Sequence, residues 1–560
     1  MLAMFEIAHD KIQDLLNQAV VKAQSLNLIP KVEAIEFSLE HPQIEKHGDF
    51  ASNLALKLSN KVKLTPIVLA RKLIELIPEN EIIEHVWEEE PGFINIEISS
   101  QWLQHQIEVI INLGSNYGVA ISKNQTIILE FVSINPTGPL HHGHLWGAVI
   151  GSSLANILEV SGYKIIKEYY VNDHGNQLDL FINSLYARYR ENAGVEFKFP
   201  DDGYKGNYVN DMGKELWVTY GDKYLKMNET DAIKEIRKIG LQLMLESIQK
   251  DLKLVGVHFD NWFNESNLFS TGEYIDIISE LEEKELIIKR DGATWFITSA
   301  MGESKDDVLV KSSGEVTYFA SDIVYHVNKF KKRKFDQGIN IWGADHQGHI
   351  PRLKAALESI DIDSNRLKFI VTQMVSLKKG HEKVKASKRS GEFVTLRELV
   401  DEVGKDVCRF FFLSRTPESH MTFDLELAKE ESNKNPVYYL QYGFARISSL
   451  LRNASAKNLD WRLGNVKFLH DDYEIALMKK LTGFPELLEV ISETLQPHRL
   501  ANYAIELATS FHLFYQNCRV ISSDSSDIDL TLSRLKLTKS TEIVLGKTLF
   551  LMGINAPEKM

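Results

Sequence analysis

The sequence predicts a multidomain α/β chain: an N-terminal α+β domain over residues 1–115, a Rossmann-like parallel-sheet domain over 116–430 with an insertion at about 190–290, and an all-helical bundle over 431–560. Three observations lead there. At 560 residues the chain exceeds what one hydrophobic core organises. Residues 127–147 read as strand, Pro/Gly-broken loop and helix start, the repeating unit of doubly wound parallel sheets. From Leu396 onward the apolar spacing turns helical.

Composition narrows the function classes. With 44% hydrophobic and 25% charged residues, the chain is an ordinary globular protein. Its formal charge of −13 argues against a uniformly basic nucleic-acid binder, so any RNA contact needs local basic surface. Two stretches qualify: Lys329 to Lys334 (KFKKRK), whose simplest reading is a solvated face, and Lys378 to Arg389, where six of twelve residues are Lys or Arg. Two cysteines, Cys408 and Cys518, exclude a disulfide framework or a four-cysteine zinc site and fit a reducing compartment. Glu6 and Asp10 stand where a secretory leader would be cationic, and no apolar run approaches membrane-spanning length. A cytoplasmic location, without membrane partners or structural zinc, is expected.

In chain order, Ile12, Leu15, Leu16, Ala19, Ala23 and Leu26 form one helical stripe ended by Pro30. Ile35, Phe37 and Leu39 alternate as a strand, and Gly48-Asp49-Phe50 leads into a second helix. Pro66 opens a third, and Ile82 to Val86 and Ile94 to Ile98 read as strands around Pro91-Gly92. No catalytic constellation lies in this part.

Ile127 to Val132 then reads as a buried strand and Leu145 to Leu158 as a helix, with His141, Gly143 and His144 at its mouth. The first N–H groups of a helix are unpaired and its dipole favours anions, so phosphate is a natural ligand there. Two imidazoles three residues apart can both donate to phosphate oxygens, and Gly143 leaves room for a flat base or sugar. A locally packed histidine cluster, or adventitious metal binding, competes with that reading. Pro136-Thr137-Gly138-Pro139 directly after a strand favours a nucleotide site at the carboxyl edge of the sheet.

This stretch resembles the first motif of class I aminoacyl-tRNA synthetases, and Asn135 to Leu145 (NPTGPLHHGHL) is similar to the arginyl-tRNA synthetase form. The strings His47 to Asn53 and Pro91 to Ile96 resemble that family's N-terminal domain, which contacts the outer corner of tRNA.

Tyr163 to Val171 is a second β-rich run, and the polar segment Asn172 to Gln177 after it, where a Rossmann sheet binds ligands, is expected to line the same pocket. Asp306 to Val310 and Glu315 to Ala320 read as a hairpin, so Asp322 follows a strand carrying Tyr318. A guanidinium is a planar, always-charged fork that needs carboxylates when buried. Glu130 and Asp322 would both reach the crevice. The resemblance implies an arginine pocket in which Glu130 and Asp322 face the guanidinium, Tyr318 packs on the side chain, Asn135 meets the α-amino group, and His346 also takes part.

Gln337 to Trp342 is a further strand, followed by a helix with Leu353 and Leu357. Asp345, His346 and His349 invite a metal reading, but neither HxxH carries the HExxH helix of a zinc protease, and no dedicated metal site is expected. Lys385-Ala386-Ser387-Lys388-Arg389, after the strand Phe369 to Leu377, is similar to the second class I motif, with Ala386 where methionine is usual. A loop with two ammonium groups can neutralise the β- and γ-phosphates as pyrophosphate leaves. The resemblance thus implies catalysis by His141, His144, Lys385 and Lys388, and ATP binding by Pro139, His141, Gly143, His144, Ser387 and Lys388.

Asn435 to Leu451 opens a long helix, and Ile475 to Leu495 and Arg499 to Val520 read as two more. Helical aromatics are more often core than ligand, although such a tail can stack single-stranded bases. The resemblance implies an anticodon-binding bundle contacting RNA through Tyr439, Tyr442, Arg446 and Met560.

The expected activity is ATP-dependent ligation of L-arginine to tRNA(Arg) through an adenylate, with Mg2+ accompanying ATP, by a monomer. Discrimination by charge removes the need for a hydrolytic editing site. A class I synthetase for lysine and a catalytically silent RNA-binding relative stay open as alternatives, with a metal-dependent hydrolase as a third.

Overall fold

The computed structural model describes residues 5–33, 36–297, 299, 306–380, 382–384 and 394–560. Helix α1 (Ala8–Ser25) buries the expected stripe of Ile12, Leu15, Leu16, Ala19 and Ala23, while Leu26 caps it on the surface. Strands β1 (Leu39–Glu40), β2 (Phe50–Ser52), β3 (Ile83–Glu89) and β4 (Phe93–Ile98) form an antiparallel sheet in the order β1-β2-β4-β3. Helices α2 (Leu54–Val62) and α3 (Pro66–Ile74) pack on it, α3 with Pro66 in its first turn as expected. The strand expected through Phe37 shrinks to Leu39–Glu40, because its partner β2 ends where Asn53 opens α2; Ser38 N–H bonds the Asn53 side chain instead. Ile35 lies outside the described residues. Helix α4 (Ser100–Leu113), N-capped by Ser99, joins this domain to the C-terminal bundle through Gln104 Nε2 to Leu469 O (2.9 Å) and Lys536 to Glu108 (2.7 Å).

The central sheet is built from β5 (Thr126–Glu130), β6 (Lys164–Val171), β7 (Asn261–Asn264), β11 (Gln337–Gly343) and β12 (Leu367–Thr372). All pairings are parallel, in the order β12-β11-β5-β6-β7. The connections reverse direction between β5 and β11, and ligands bind outside the carboxyl ends of strands at such a switch point. Helix α5 (His142–Val160) follows β5 and buries Leu145, Trp146, Val149 and Leu154, a nearly all-round apolar surface suited to a central position. Helices α6 (Asn176–Asn192), α7 (Asn207–Tyr220) and α8 (Glu229–Leu254) account for much of residues 190–290, but that stretch is not wholly an insertion: its four-residue β7 completes the sheet.

Between β7 and β11 lie α9 (Ser266–Ser270), α10 (Glu273–Glu283), β8 (Ile287–Arg290), β9 (Ala293–Phe296), β10 (Asp307–Val310) and α11 (Tyr318–Val327). The expected hairpin is corrected here. The pairing is limited to the Val316–Val310 bridge with Lys311 N–H to Glu315 O and Thr317 N–H to Leu309 O, after which Thr317 Oγ1, donating to Val308 O and accepting from Ala320 N–H, turns the chain into α11. Tyr318 and Asp322 therefore sit one helical turn apart on α11. With α12 (Ile350–Ser359), this segment has its own core, including Leu281, Phe296, Phe319, Ile323 and Leu353. The run Phe369 to Leu377 also breaks in two at Gln373, whose N–H goes to Pro417 O: β12 stays in the parallel sheet, and β13 (Val375–Lys379) pairs with β14 (Glu382–Val384) and β15 (Met421–Asp424).

Helices α13 (Leu396–Val403), α14 (Lys405–Leu413) and α15 (Leu425–Lys429) lead to the bundle of α16 (Pro436–Ala456), α17 (Asp472–Thr482), α18 (Phe484–Thr494), α19 (His498–Asn517) and α20 (Ile528–Met552). The single helix expected over Ile475 to Leu495 breaks at Gly483, because Pro485 fits only a first turn. Among the described residues no helix is long and apolar enough to cross a membrane.

Arg409 ties these parts together. Fully buried on α14, it donates to Met552 O (2.6 Å), Val255 O (2.8 Å) and the Ser152 and Ser153 hydroxyls (both 3.0 Å), and burial pulls its guanidinium down to about 10. Arg409→Ala leaves two buried carbonyls without donors and a void besides, so a loss of roughly 3 kcal/mol or more is expected, read as a lower denaturation midpoint in urea.

Candidate active site

The helix mouth is built from the two expected histidines in an unexpected way. His141 is the N-cap of α5, and its Nδ1 accepts from Gly143 N–H (3.1 Å); His144 Nδ1 accepts from His141 N–H (3.2 Å). A backbone N–H can only donate, so in each neutral ring the proton sits on Nε2. The rings stack with centroids 3.5 Å and planes 25° apart. The backbone N–H groups expected to bind phosphate are already used: His142 N–H goes to Val394 O, Gly143 N–H to His141 Nδ1 and His144 N–H to His141 O. These three donors are therefore already committed within the protein. A Cβ at Gly143 would lie 3.0 Å from the His141 ring, so the glycine makes room for the imidazole.

The loop feeding this helix is held in a strained form. Val132 and Ser133 have φ of 69° and 37°, in the left-handed region that a β-branched residue rarely enters. Pro139 lies part-exposed in the loop, and Tyr208 from α7 donates to Thr137 O (2.7 Å), so the inserted helices brace the site.

Four polar residues stand in register across the buried sheet: Asn340, Glu130, Glu168 and Asn261. Glu130, the last residue of β5 and nearly fully buried, accepts from Lys329 Nζ at 2.6 Å. Glu168 accepts a forked pair from Arg333 (2.5 and 2.9 Å) and a bond from the Tyr325 hydroxyl (2.6 Å). These bonds overturn the reading of Lys329 to Lys334 as a solvated face. A π turn, Asn328–Lys332, directs Lys329 inward, with Arg333 following, while Lys331 and Lys332 face outward to Glu280 and Glu273.

Asp322 makes no side-chain hydrogen bond or ion pair among the described residues. Its carboxyl is pushed up to about 8, first by burial and then by the charges of Glu130 and Glu265, with Lys329 opposing them. Glu265, just after β7, is buried and likewise raised, chiefly by desolvation. In the amide orientation that satisfies its neighbours, Asn172 donates to Glu265 Oε2 (3.0 Å) and lies 3.2 Å from Asn135, which donates to Gln177 (2.7 Å). The Tyr318 hydroxyl lies beside Asn172 and would stand 3.8 Å from a Cβ at Gly175. The structure thus brings Glu130, Asp322, Tyr318 and Asn135 into one neighbourhood, and adds Glu265, which sequence reasoning missed because a four-residue strand carries no readable periodicity. His346 stands apart on the turn after β11, largely exposed, 3.5 Å from Asp345. A cation with no ion pair of its own would satisfy Asp322 directly.

Lys385, Ser387 and Lys388 lie outside the described residues. The residues flanking that segment are described: β14 ends at Val384, and Val394 to Leu396 bond to Leu140 to His142, including a bridge between His141 and Thr395. His142 is buried with its ring nitrogens 3.4 and 3.3 Å from Val394 O and Val375 O. Among the described residues no cluster of side chains could hold a metal ion.

On the bundle, Arg446 lies between the rings of Tyr442 (5.0 Å) and Tyr515 (4.9 Å) and donates to the Tyr442 hydroxyl (2.9 Å). Tyr439 packs on His512 with centroids 4.8 Å apart. The C-terminal segment runs along α16 through Gln441 to Asn555 O (3.0 Å) and Arg452 to Glu558 O (3.0 Å), leaving Met560 exposed. Tyr515 and His512, from α19, escaped the sequence reading because they join this face only in the folded bundle.

Three family models match the chain: the arginyl tRNA synthetase N terminal domain over residues 10–98, the catalytic domain of tRNA synthetases class I (R) over 106–411, and the DALR anticodon binding domain over 440–560. Among curated proteins it is similar to the arginine–tRNA ligase of Dehalococcoides mccartyi, 46% identical over 97% of this chain and 98% of that one. The ligase of Carboxydothermus hydrogenoformans is 42% identical over 97% of each. Among solved structures, a putative arginyl tRNA synthetase from Campylobacter jejuni superposes with TM-score 0.74 at 32% identity, covering 82% of this chain and all of that one. The Thermus thermophilus arginyl-tRNA synthetase shares the fold, with TM-score 0.77 at 19% identity over 99% of this chain and all of that one.

Proposed function

The chain belongs to the class I arginyl-tRNA synthetase family, and from that premise we propose how its residues divide the reaction. The enzyme ligates L-arginine to tRNA. The carboxylate of arginine attacks the α-phosphate of ATP, which enters as its Mg2+ salt; pyrophosphate leaves, and the 3′-terminal ribose hydroxyl of tRNA then takes the acyl group and releases AMP.

Little acid–base chemistry is needed, so rate comes from positioning and charge stabilisation. His141 and His144 donate Nε2–H to the phosphates, while Pro139 in the loop and Gly143 in the first turn of α5 shape the ATP site. Lys385 and Lys388, with Ser387 between them, neutralise the departing pyrophosphate. Asp322 and Glu130 receive the guanidinium, Tyr318 packs on the aliphatic stem, Asn135 meets the α-amino group, and His346 is carried by the exposed turn after β11 that would have to swing toward them. Residues 1–115 meet the corner of tRNA, and Tyr439, Tyr442, Arg446 and Met560 its anticodon. We read the working unit as a cytoplasmic monomer.

The observation that carries this reading is that the stacked imidazoles of His141 and His144 and the Asp322 carboxyl, which has no ion pair among the described residues, both lie by the carboxyl ends of β5 and β11, at the switch point. Arginine-dependent ATP–pyrophosphate exchange, measured with and without tRNA(Arg), tests it. Exchange that requires arginine is expected. Exchange driven by lysine instead would reassign the pocket, and no exchange in protein that still binds tRNA would mark a silent relative.

A further inference from the structure

Lys329, Asn340 and His326 are all fully buried, and none of them belongs to the binding or catalytic set described above. They form one continuous chain of hydrogen bonds. Lys329 Nζ donates to Glu130 Oε2 (2.6 Å) and Asn340 Oδ1 (3.1 Å), and Asn340 Nδ2 meets His326 Nε2 (2.7 Å). Because that amide nitrogen can only donate, His326 Nε2 accepts, and the ring proton lies on Nδ1, where it is shared with Asp322 O (2.7 Å). Burial holds His326 well below the usual imidazole range, so the ring stays neutral. The chain starts at the side chain of one arginine-pocket acid and ends at the backbone of the other.

We propose that Lys329 is a positioning residue for arginine recognition: its ammonium fixes Glu130 and, through Asn340 and His326, the turn of α11 carrying Asp322, so that the two acids keep a set separation and share one compensating charge. The inference rests on reading Glu130 and Asp322 as the arginine pocket. Stability alone explains the arrangement poorly, since a buried ion pair contributes little net free energy compared with well-packed apolar residues. Orientation explains it better. Lys329 also lies over the Tyr325 ring at 4.1 Å, and the π turn that delivers it departs from regular helix at that point.

Asp322 faces Glu130 from β5, Glu265 from the end of β7, Tyr170 from β6, and Tyr318, His326 and Lys329 from its own segment. Of these, Lys329 is the charge that favours its ionised form. Removing that charge should therefore move the acid limb of kcat/KM for arginine to higher pH.

The test is the pH profile of kcat/KM for arginine, with KM for ATP alongside, in the wild type, Lys329→Met, Glu130→Gln, the double variant and Asp322→Asn. Lys329→Met is expected to raise the limb by roughly one pH unit and KM for arginine roughly tenfold, with KM for ATP within about twofold. Glu130→Gln lowers the limb, and the double variant lies above Glu130→Gln. A limb in Lys329→Met that superimposes on the wild type overturns the inference. If that variant does not fold, coincidence of the double variant with Glu130→Gln overturns it equally, since those two differ only at Lys329. Asp322→Asn separates the two levels: if it leaves the arginine parameters and limb untouched, the pocket reading itself fails, whatever Lys329 does.

Discussion

His144→Ala is expected to slow arginyl-adenylate formation by roughly 10²- to 10³-fold, the cost of removing one preorganised donor from a transition state with growing phosphate charge. The tautomer argument makes this specific. His144 Nδ1 is committed to the His141 N–H, so Nε2–H is the only proton it can offer, and no rotation of a neutral ring supplies another. Alanine also removes half of the reciprocal cap, a local cost of about 1 kcal/mol that should leave folding intact. Single-turnover adenylate formation therefore falls while KM for arginine changes little. An unchanged rate would remove His144 from the mechanism.

Asp322→Asn is expected to lower kcat/KM for arginine by roughly 10²-fold or more, as a buried guanidinium loses its charged partner at about 3 kcal/mol. The pH dependence gives this prediction its sign. In the free enzyme the carboxyl is raised to about 8, so below that pH it carries a proton and cannot pair with a cation. Arginine binding must then expel the proton, and kcat/KM rises with pH until about 8 and levels above it. The asparagine variant loses that limb. Calorimetric titration of the wild type at pH 7 in buffers of different ionisation enthalpy should show a proton released with arginine, and a buffer-independent enthalpy would contradict the assignment.

Much of this was legible in the sequence where the signal is local. The strand, broken loop and helix at 127–158, Pro66 in a first turn and the stripe of α1 depend on neighbours a few residues away, and each formed, with the strand ending at Glu130 rather than Val132 and Leu26 left exposed. The errors share a cause. Glu315 to Ala320 looks like strand because its side chains suit one, yet Thr317 caps a helix, and a cap is decided by one hydroxyl rather than by periodicity. KFKKRK looks solvated because charge usually is; only the parallel register of Glu130 with Glu168, set by strands far apart in sequence, explains why Lys329 and Arg333 turn inward. Glu265 was invisible because the four-residue β7 before it carries no readable periodicity. Of the proposed site, the phosphate end was read from two motifs and most of the arginine end only through the resemblance, whereas Glu265, just after β7, required the fold.

The most direct measurement is the structure of the complex with a non-hydrolysable arginyl-adenylate analogue. The account predicts the guanidinium within hydrogen-bond distance of the Asp322 carboxylate, beside a Glu130 that keeps its bond to Lys329, with the Nε2 atoms of His141 and His144 directed at the phosphate mimic. A guanidinium bound away from both acids, or a phosphate mimic held by neither imidazole, would contradict it.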